Sequence, residues 1–355
     1  MSEASQTRPR RRAFAVDAAG QTARSALKAL WWTGAGMLAR RIARPETARP
    51  ADFQPTAEAA PSGFVRRAWL ATFEKDARDV AAGLYPARDD ARQGLGAAFT
   101  RTADFLADAR QVEARRRRGG AVEARQDAPA SAAYPTYYRQ NFHFQSGGWF
   151  TDESARRYDA QVEALFAGSA GAMRRRALSL LARHWKGQDQ RGRTIVDVAC
   201  GSGSFLADLE ATFPRARIFG LDLSPAYLQE ARRRSPATGL IQANAERLPF
   251  AVASLDAVVS IYLFHELPPK VRTLIAAELA RVLKPGGVLA FADSVQPVDD
   301  PRLARLLEAF PAYFHEPYYS SYATLDLSGL FASQGLLPAG EDRAFLTKAL
   351  LFERS

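Results

Sequence analysis

Two glycines and two acids at fixed distances carry the most legible chemistry in this chain. Gly201 and Gly203 flank Ser202 directly after the apolar run Ile195-Val196-Asp197-Val198. A small-residue turn between a strand and a helix lets the backbone take φ > 0 and turn free N–H groups toward a ligand. Asp197 is an acid where a buried strand wants hydrocarbon, so it needs a partner there. Asp222 closes a second apolar run, Arg217 to Leu223, 19 residues past Gly203. An acid at that distance accepts hydrogen bonds from both hydroxyls of a ribose. The third glycine of a dinucleotide turn would fall at position 206, which is Leu206. Its absence disfavours a pyrophosphate, and with it a nicotinamide dehydrogenase.

Candidate acid/base groups follow the fourth apolar run, Leu255 to Ser260. There Tyr262-Leu263-Phe264 leads into His265 and Glu266. His265 stands just past the carboxyl end of a central strand, where it could take a proton from a hydroxyl, amine or carbon acid, with Glu266 orienting it. His143 and His315 are its rivals, each in an aromatic stretch. Tyr134 to Phe150 holds three Tyr, three Phe, a Trp and a His in 17 residues around the pair Gly147-Gly148. His315 to Tyr322 is a second such loop. Aromatics with a few polar groups line small-molecule pockets, which nominates Tyr138, Phe142, Trp149, Tyr262, His315, Tyr318 and Tyr319 for substrate. No Cys/His/acid set has metal-ligand spacing, so no metal is expected. Cys200, the only cysteine, lies inside the glycine turn as a small lining residue and excludes an intramolecular disulfide.

The elements that must position these groups alternate from Arg193 onward, which predicts a parallel sheet with helices on both faces and ligands at the strands' carboxyl ends. The turn at Ala199 to Gly203, Asp222, Ile241 to Phe250, Leu255 to Ser260, and Arg281 to Phe291 with Lys284-Pro285-Gly286-Gly287 come in an order that resembles the class I S-adenosylmethionine-dependent methyltransferases. The likeness is to their ubiquinone/menaquinone-biosynthesis-like, small-molecule branch. It implies an α/β, Rossmann-like, seven-stranded sheet, mostly parallel with an antiparallel final strand, plus an N-terminal helical extension and lid. It also implies a cofactor, S-adenosyl-L-methionine, met by Asp197, Ala199, Cys200, Gly201, Ser202, Gly203, Asp222, Leu223, Asn244, Ala245, Glu246, Ser260 and Ile261. Two positions depart from the pattern: Ala199 replaces a usual first glycine, and Asn244 replaces a usual Asp.

The expected organisation is a basic, unstructured tail over 1–60 with an amphipathic helix inside it, a helical extension over 61–133, an aromatic lid over 134–172, and the cofactor-binding domain over 173–355. Arg115 to Arg118 reads as a charged loop, Arg174-Arg175-Arg176 as the wet face of a helix, and Glu341-Asp342-Arg343 as a turn. The net charge is +10, and residues 1–60 hold ten Lys/Arg against five Asp/Glu. The basic tail opens two alternatives to a small-molecule enzyme: a methyltransferase of RNA or protein recruited by that tail, and a non-catalytic cofactor-binding protein. Nucleic acid is disfavoured, because the aromatics are not interleaved with the basic runs. Ser25 to Arg44 carries an aromatic-rich apolar side with basic ends and suits a peripheral membrane contact. No run approaches the ~20 apolar residues of a spanning helix. Arg10-Arg11-Arg12 is followed by too many polar residues to make an export signal, so the expected location is cytoplasmic, with contact to a membrane surface.

Overall fold

The apolar runs read as strands pair into one sheet. The computed structural model describes residues 7–43, 53–87, 94–119, 122–126, 128–129, 131 and 133–355, with the side chains of 7–18, 94, 95, 97 and 98 left aside. Seven strands, β1 (Thr194–Val198), β2 (Arg217–Asp222), β3 (Gly239–Gln242), β4 (Leu255–Ile261), β5 (Leu283–Ser294), β6 (Leu336–Ala344) and β7 (Thr347–Arg354), lie in the order β3-β2-β1-β4-β5-β7-β6. The pairs from β3 to β5 are parallel, and β7 runs antiparallel between β5 and β6. The order reverses between β1 and β4, and the crevice at their carboxyl ends is where such sheets take ligands.

Alternation along the strands sorts the core into two layers. Ile195, Ala257, Val259, Ala290 and Leu351 face the helices that precede and follow β1, α5 (Ala170–His184) and α6 (Leu206–Thr212). Val196, Val258, Leu289, Phe291 and Phe352 face α8 (Pro269–Val282) and α11 (Leu327–Ala332). The helix between β2 and β3, α7 (Pro225–Arg234), starts at Ser224, whose Oγ accepts from the Tyr227 N–H at 3.1 Å. Two more short helices, α9 (Ala304–Tyr313) and α10 (Tyr319–Ala323), follow β5.

Ahead of this domain stand α1 (Thr7–Ala43), α2 (Phe64–Ala81), α3 (Gly94–Arg118) and α4 (Asp152–Leu165). Four expectations change here. The tail is helical from Thr7, because the Ala and Arg that read as solvated chain are also good helix formers. Arg115 to Arg118 continue α3, with Arg115 donating to Glu123 at 2.9 Å and to the Phe144 carbonyl at 2.6 Å. Glu341 to Arg343 lie within β6, an edge strand whose outward residues are exposed and whose pairing shifts register between Pro338 and Gly340, so apolar alternation was missing.

The fourth change concerns Arg174-Arg175-Arg176, which are 6%, 5% and 1% exposed. Arg175 donates twice to Asp76 of α2 at 2.7 Å, and Gln21 of α1 donates to the same carboxylate at 2.7 Å. Arg176 donates to Asp79 at 2.8 Å, to Tyr85 Oη at 2.7 Å and to Asp342 of β6 at 3.3 Å. Burial alone would raise the Asp76 pKa, but Arg175 outweighs it and holds the group down at about 2. Removing one member of such a cluster leaves a buried, unpaired charge and costs about 3–5 kcal/mol. Arg175→Ala is therefore expected to lower the unfolding midpoint in urea by that equivalent, whereas Arg183→Ala, a largely exposed neighbour of Asp79, should cost under about 1 kcal/mol. Equal losses in the two variants would contradict this account.

Candidate active site

The turn after β1 is built by backbone strain and close packing. Ala199, Gly201 and Gly203 take φ of 61°, 55° and 73°. A side chain at Gly203 would come within 2.8 Å of Ala231 on α7, so only glycine lets that helix lie on the turn. Asp222 accepts the Gly201 N–H on one oxygen and the Ser224 N–H on the other, both at 2.8 Å. These bonds aim its remaining lone pairs into the crevice. Burial, against those two amides, leaves its pKa at about 6.

Asp197 is 2% exposed and faces the same crevice. Among the described residues none donates a hydrogen bond to it. Burial first, then the charge of Asp222, push its pKa up to about 8, and Arg174 opposes this. Arg174 also lines the crevice, and its Nε has no hydrogen-bond partner among the described residues. An acid with no donor among the described residues and an arginine with a free Nε, its other end 3.6 Å from Glu163, thus line one pocket. Cys200 lines it too, with its thiol held protonated by burial.

The aromatic stretch lies across this turn. Tyr137 donates to Glu246 at 2.7 Å, and Ser224 Oγ donates to the Trp149 carbonyl at 2.5 Å. Tyr138, Phe142 and Trp149 therefore line the cofactor crevice. His315 and Tyr318 line neither cavity; they brace the stretch through Gln140, at 2.8 Å and 3.3 Å. Tyr319 and Tyr262 do reach the second cavity. Among the expected cofactor residues, Asp197, Ala199, Cys200, Gly201, Ser202, Asp222, Leu223, Asn244, Ala245 and Ile261 line the crevice. Gly203, Glu246 and Ser260 stand behind it, and Glu246 is spent on Tyr137 and Asn244.

A second, mostly apolar cavity of about 780 Å³ adjoins the first. The two share Tyr158, Tyr262 and Glu266. His143, His265 and Glu266 line the second at this junction. His265 Nδ1 lies 2.6 Å from Asp293 Oδ1, which leaves Nε2 free to face Glu266 at 3.9 Å. Burial favours a neutral ring there, yet Asp293 outweighs it and raises the His265 pKa. His143 has Nδ1 3.2 Å from Glu316 and Nε2 3.8 Å from Glu266. Burial pushes Glu316 up, while Glu316 and Glu266 hold His143 above its usual range against the pull of burial. His143 and Phe144 both take φ of 55°, a strained backbone for side-chain-bearing residues.

Sequence reasoning missed Arg174, Asp293 and Glu316. Arg174 was hidden in a basic triplet, and Glu316 sits in a loop with no periodicity. Asp293 had a usable signal: it is an acid at the carboxyl end of a strand.

A family model described as a methyltransferase domain matches residues 196–291. That span holds the turn, Asp222, the β4 end and most of β5. It is a class I methyltransferase domain. Its cofactor is S-adenosylmethionine. The chain is 40% identical over 104 residues to a phthiotriol/phenolphthiotriol dimycocerosates methyltransferase of Mycobacterium leprae, covering 29% of this chain and 38% of that protein. It is 35% identical over 125 residues to a fatty-acid O-methyltransferase of Mycolicibacterium smegmatis, covering 35% and 45%. It is 33% identical over 146 residues to a demethylmenaquinone methyltransferase of Beutenbergia cavernae, covering 41% and 57%. The chain thus spans about half the length of the curated relatives it matches.

The pocket of the methyltransferase domain fits that cofactor. We propose that Asp222 would take the ribose hydroxyls, Asp197 the ammonium and Arg174 the carboxylate of the methionyl part. A cation arriving beside Asp197 must displace its proton. Cofactor affinity is therefore expected to rise about tenfold per pH unit between pH 6 and 8, with proton release visible as buffer-dependent heats in calorimetry. Asp197→Asn should bind more weakly and show no such release; a release unchanged in that variant would contradict the assignment.

Proposed function

We propose that the chain transfers a methyl group from S-adenosylmethionine to a small, predominantly apolar molecule with an acidic hydroxyl, carboxyl or carbon group. The observation that carries this is the apolar cavity of about 780 Å³ that meets the cofactor crevice at Tyr158, Tyr262 and Glu266. Its size lies within the range of drug-sized ligand sites. The names of two relatives, a fatty-acid O-methyltransferase and a phthiotriol/phenolphthiotriol dimycocerosates methyltransferase, support an apolar acceptor.

Bound S-adenosylmethionine carries its methyl on a sulfonium and so brings the electrophile with it. The protein supplies position, which is worth roughly 7–11 kcal/mol in a well-oriented reaction, and a place for a proton. Asp293 holds His265 with Nδ1 protonated, so Nε2 is the basic atom at the junction. Glu266 and the His143–Glu316 pair surround it and can take the proton onward. Tyr158 and Tyr262 form part of the wall at this junction. Arg175 and Arg176 are taken up by the buried acids Asp76 and Asp79, and Arg115 to Arg118 pair with Glu113 and Glu123. They leave little basic surface there for a nucleic acid.

The direct experiment is to incubate the protein and cofactor with a fractionated cellular lipid extract and find which mass gains one methyl. An extract in which only polar or macromolecular fractions are methylated would refute the proposal. His265→Ala should lower turnover by about 10²–10⁴-fold with cofactor binding unchanged. A base works in its neutral form, so turnover should rise with pH, above the usual histidine range. Asp293→Asn removes the charge that raises the His265 pKa and should move that rise to lower pH.

A further inference from the structure

The first helix has two unlike faces. Inward, Ala29, Trp32, Ala35 and Ala39 are buried, with Trp32 and Ala35 packed on Ala160 of α4. Outward, Leu27, Leu30, Met37 and Leu38 are 68%, 73%, 59% and 46% exposed. At about 100° per residue, positions 27, 30, 37 and 38 fall on one side of the helix, so they form one stripe along α1. Trp31 stands on it, its ring edge-on to the exposed Phe99 of α3 at 4.9 Å. Single exposed apolar residues are ordinary; a continuous stripe with paired aromatics marks an interaction surface.

Two observations name the occupant. Arg24, Arg40 and Arg41 are exposed around the stripe, and among the described residues none of them pairs with an acid. Apolar residues ringed by cations match an anionic lipid surface, with the aromatics at the headgroup boundary. The second observation is continuity. Met37 and Arg40 are exposed on this side and also line the apolar cavity, whose floor carries His143, His265 and Glu266. The cavity therefore has its mouth beside the stripe. No helix among the described residues is long and apolar enough to cross a membrane, so the contact is one of lying on the surface.

We propose that the outward face of α1, with Phe99, docks on an anionic bilayer, and that the acceptor passes from the lipid into the apolar cavity through the mouth at Met37 and Arg40. The second half rests on the function proposed above; the first does not. A second copy of the chain is the rival occupant of the stripe.

Sedimentation with vesicles tests the docking. The protein should sediment with vesicles of phosphatidylcholine and phosphatidylglycerol, less so as salt rises, and remain in solution with phosphatidylcholine alone. The double variant Leu27→Glu/Leu30→Glu touches neither cavity. It should bind the anionic vesicles at least about tenfold more weakly while keeping wild-type cofactor binding. Arg24→Gln/Arg41→Gln should lose the salt dependence. Failure of the wild type to sediment, or unchanged sedimentation of the leucine variant, overturns the docking. So does a wild-type dimer that the leucine variant dissociates and that ignores vesicles. Delivery is tested with a fluorescent polyene fatty acid, offered free or preloaded in the anionic vesicles. The leucine variant should take up the free probe normally and the vesicle-held probe at least tenfold more slowly. Equal uptake rates from vesicles overturn the delivery route. Uptake of neither form by the wild type instead refutes the apolar acceptor, and sedimentation still decides the docking.

Discussion

The N-terminal helices are held to the sheet through charges with almost no water around them. Asp76 and Asp79 on α2 face Arg175 and Arg176 on α5, with Gln21 of α1 and Asp342 of β6 completing the cluster. Apolar helix faces can slide along each other at small cost. Bidentate Arg–carboxylate pairs cannot, because a small displacement strands a buried charge. Successive helix residues point about 100° apart. Arg174 therefore turns into the cofactor crevice while its two neighbours turn into the ion cluster. Three adjacent residues of α5 set the place of the N-terminal layer relative to the cofactor.

Four strained residues line the two cavities. Ala199 and Tyr262 at the strand ends, and His143 and Phe144 in the aromatic stretch, all take positive φ without being glycine. Each costs something in stability, and each is held by its surroundings. The Tyr262 N–H is bonded to the Ala292 carbonyl and its hydroxyl to Thr347; the His143 N–H is bonded to the His315 carbonyl. The result is a junction whose side chains have little freedom, which suits a reaction that gains mainly from orientation.

The sheet and the cofactor turn were legible because they rest on local rules. β-branched runs, a glycine pair and an acid at fixed distance require no knowledge of the rest of the chain, and the strand-end Asp222 sits where its spacing put it. What escaped were residues whose meaning is set from afar. Arg174 to Arg176 look like a solvated face until the acids of α2, about a hundred positions earlier, bury Arg175 and Arg176 and the crevice takes Arg174. Glu316 and Asp293 acquire a role only when His143 and His265 come against them. The aromatic stretch was recognised as a wall, but most of it faces the cofactor crevice. The second cavity belongs largely to α1, α3, α4 and α9, whose periodicity shows an inward face without showing what it encloses.

The two cavities also come from different parts of the chain. The crevice is made chiefly by the strand ends, with Arg174, Tyr158 and the aromatic stretch closing it. The second cavity, proposed above for the acceptor, takes much of its wall from helices α1 and α3 that lie outside the matched domain. Changes in Met37, Phe105 or Val112 can therefore reshape that cavity without touching Asp197 or Asp222. The two cavities are free to drift separately, so long as the charges at Asp76 and Arg175 keep the two halves in register.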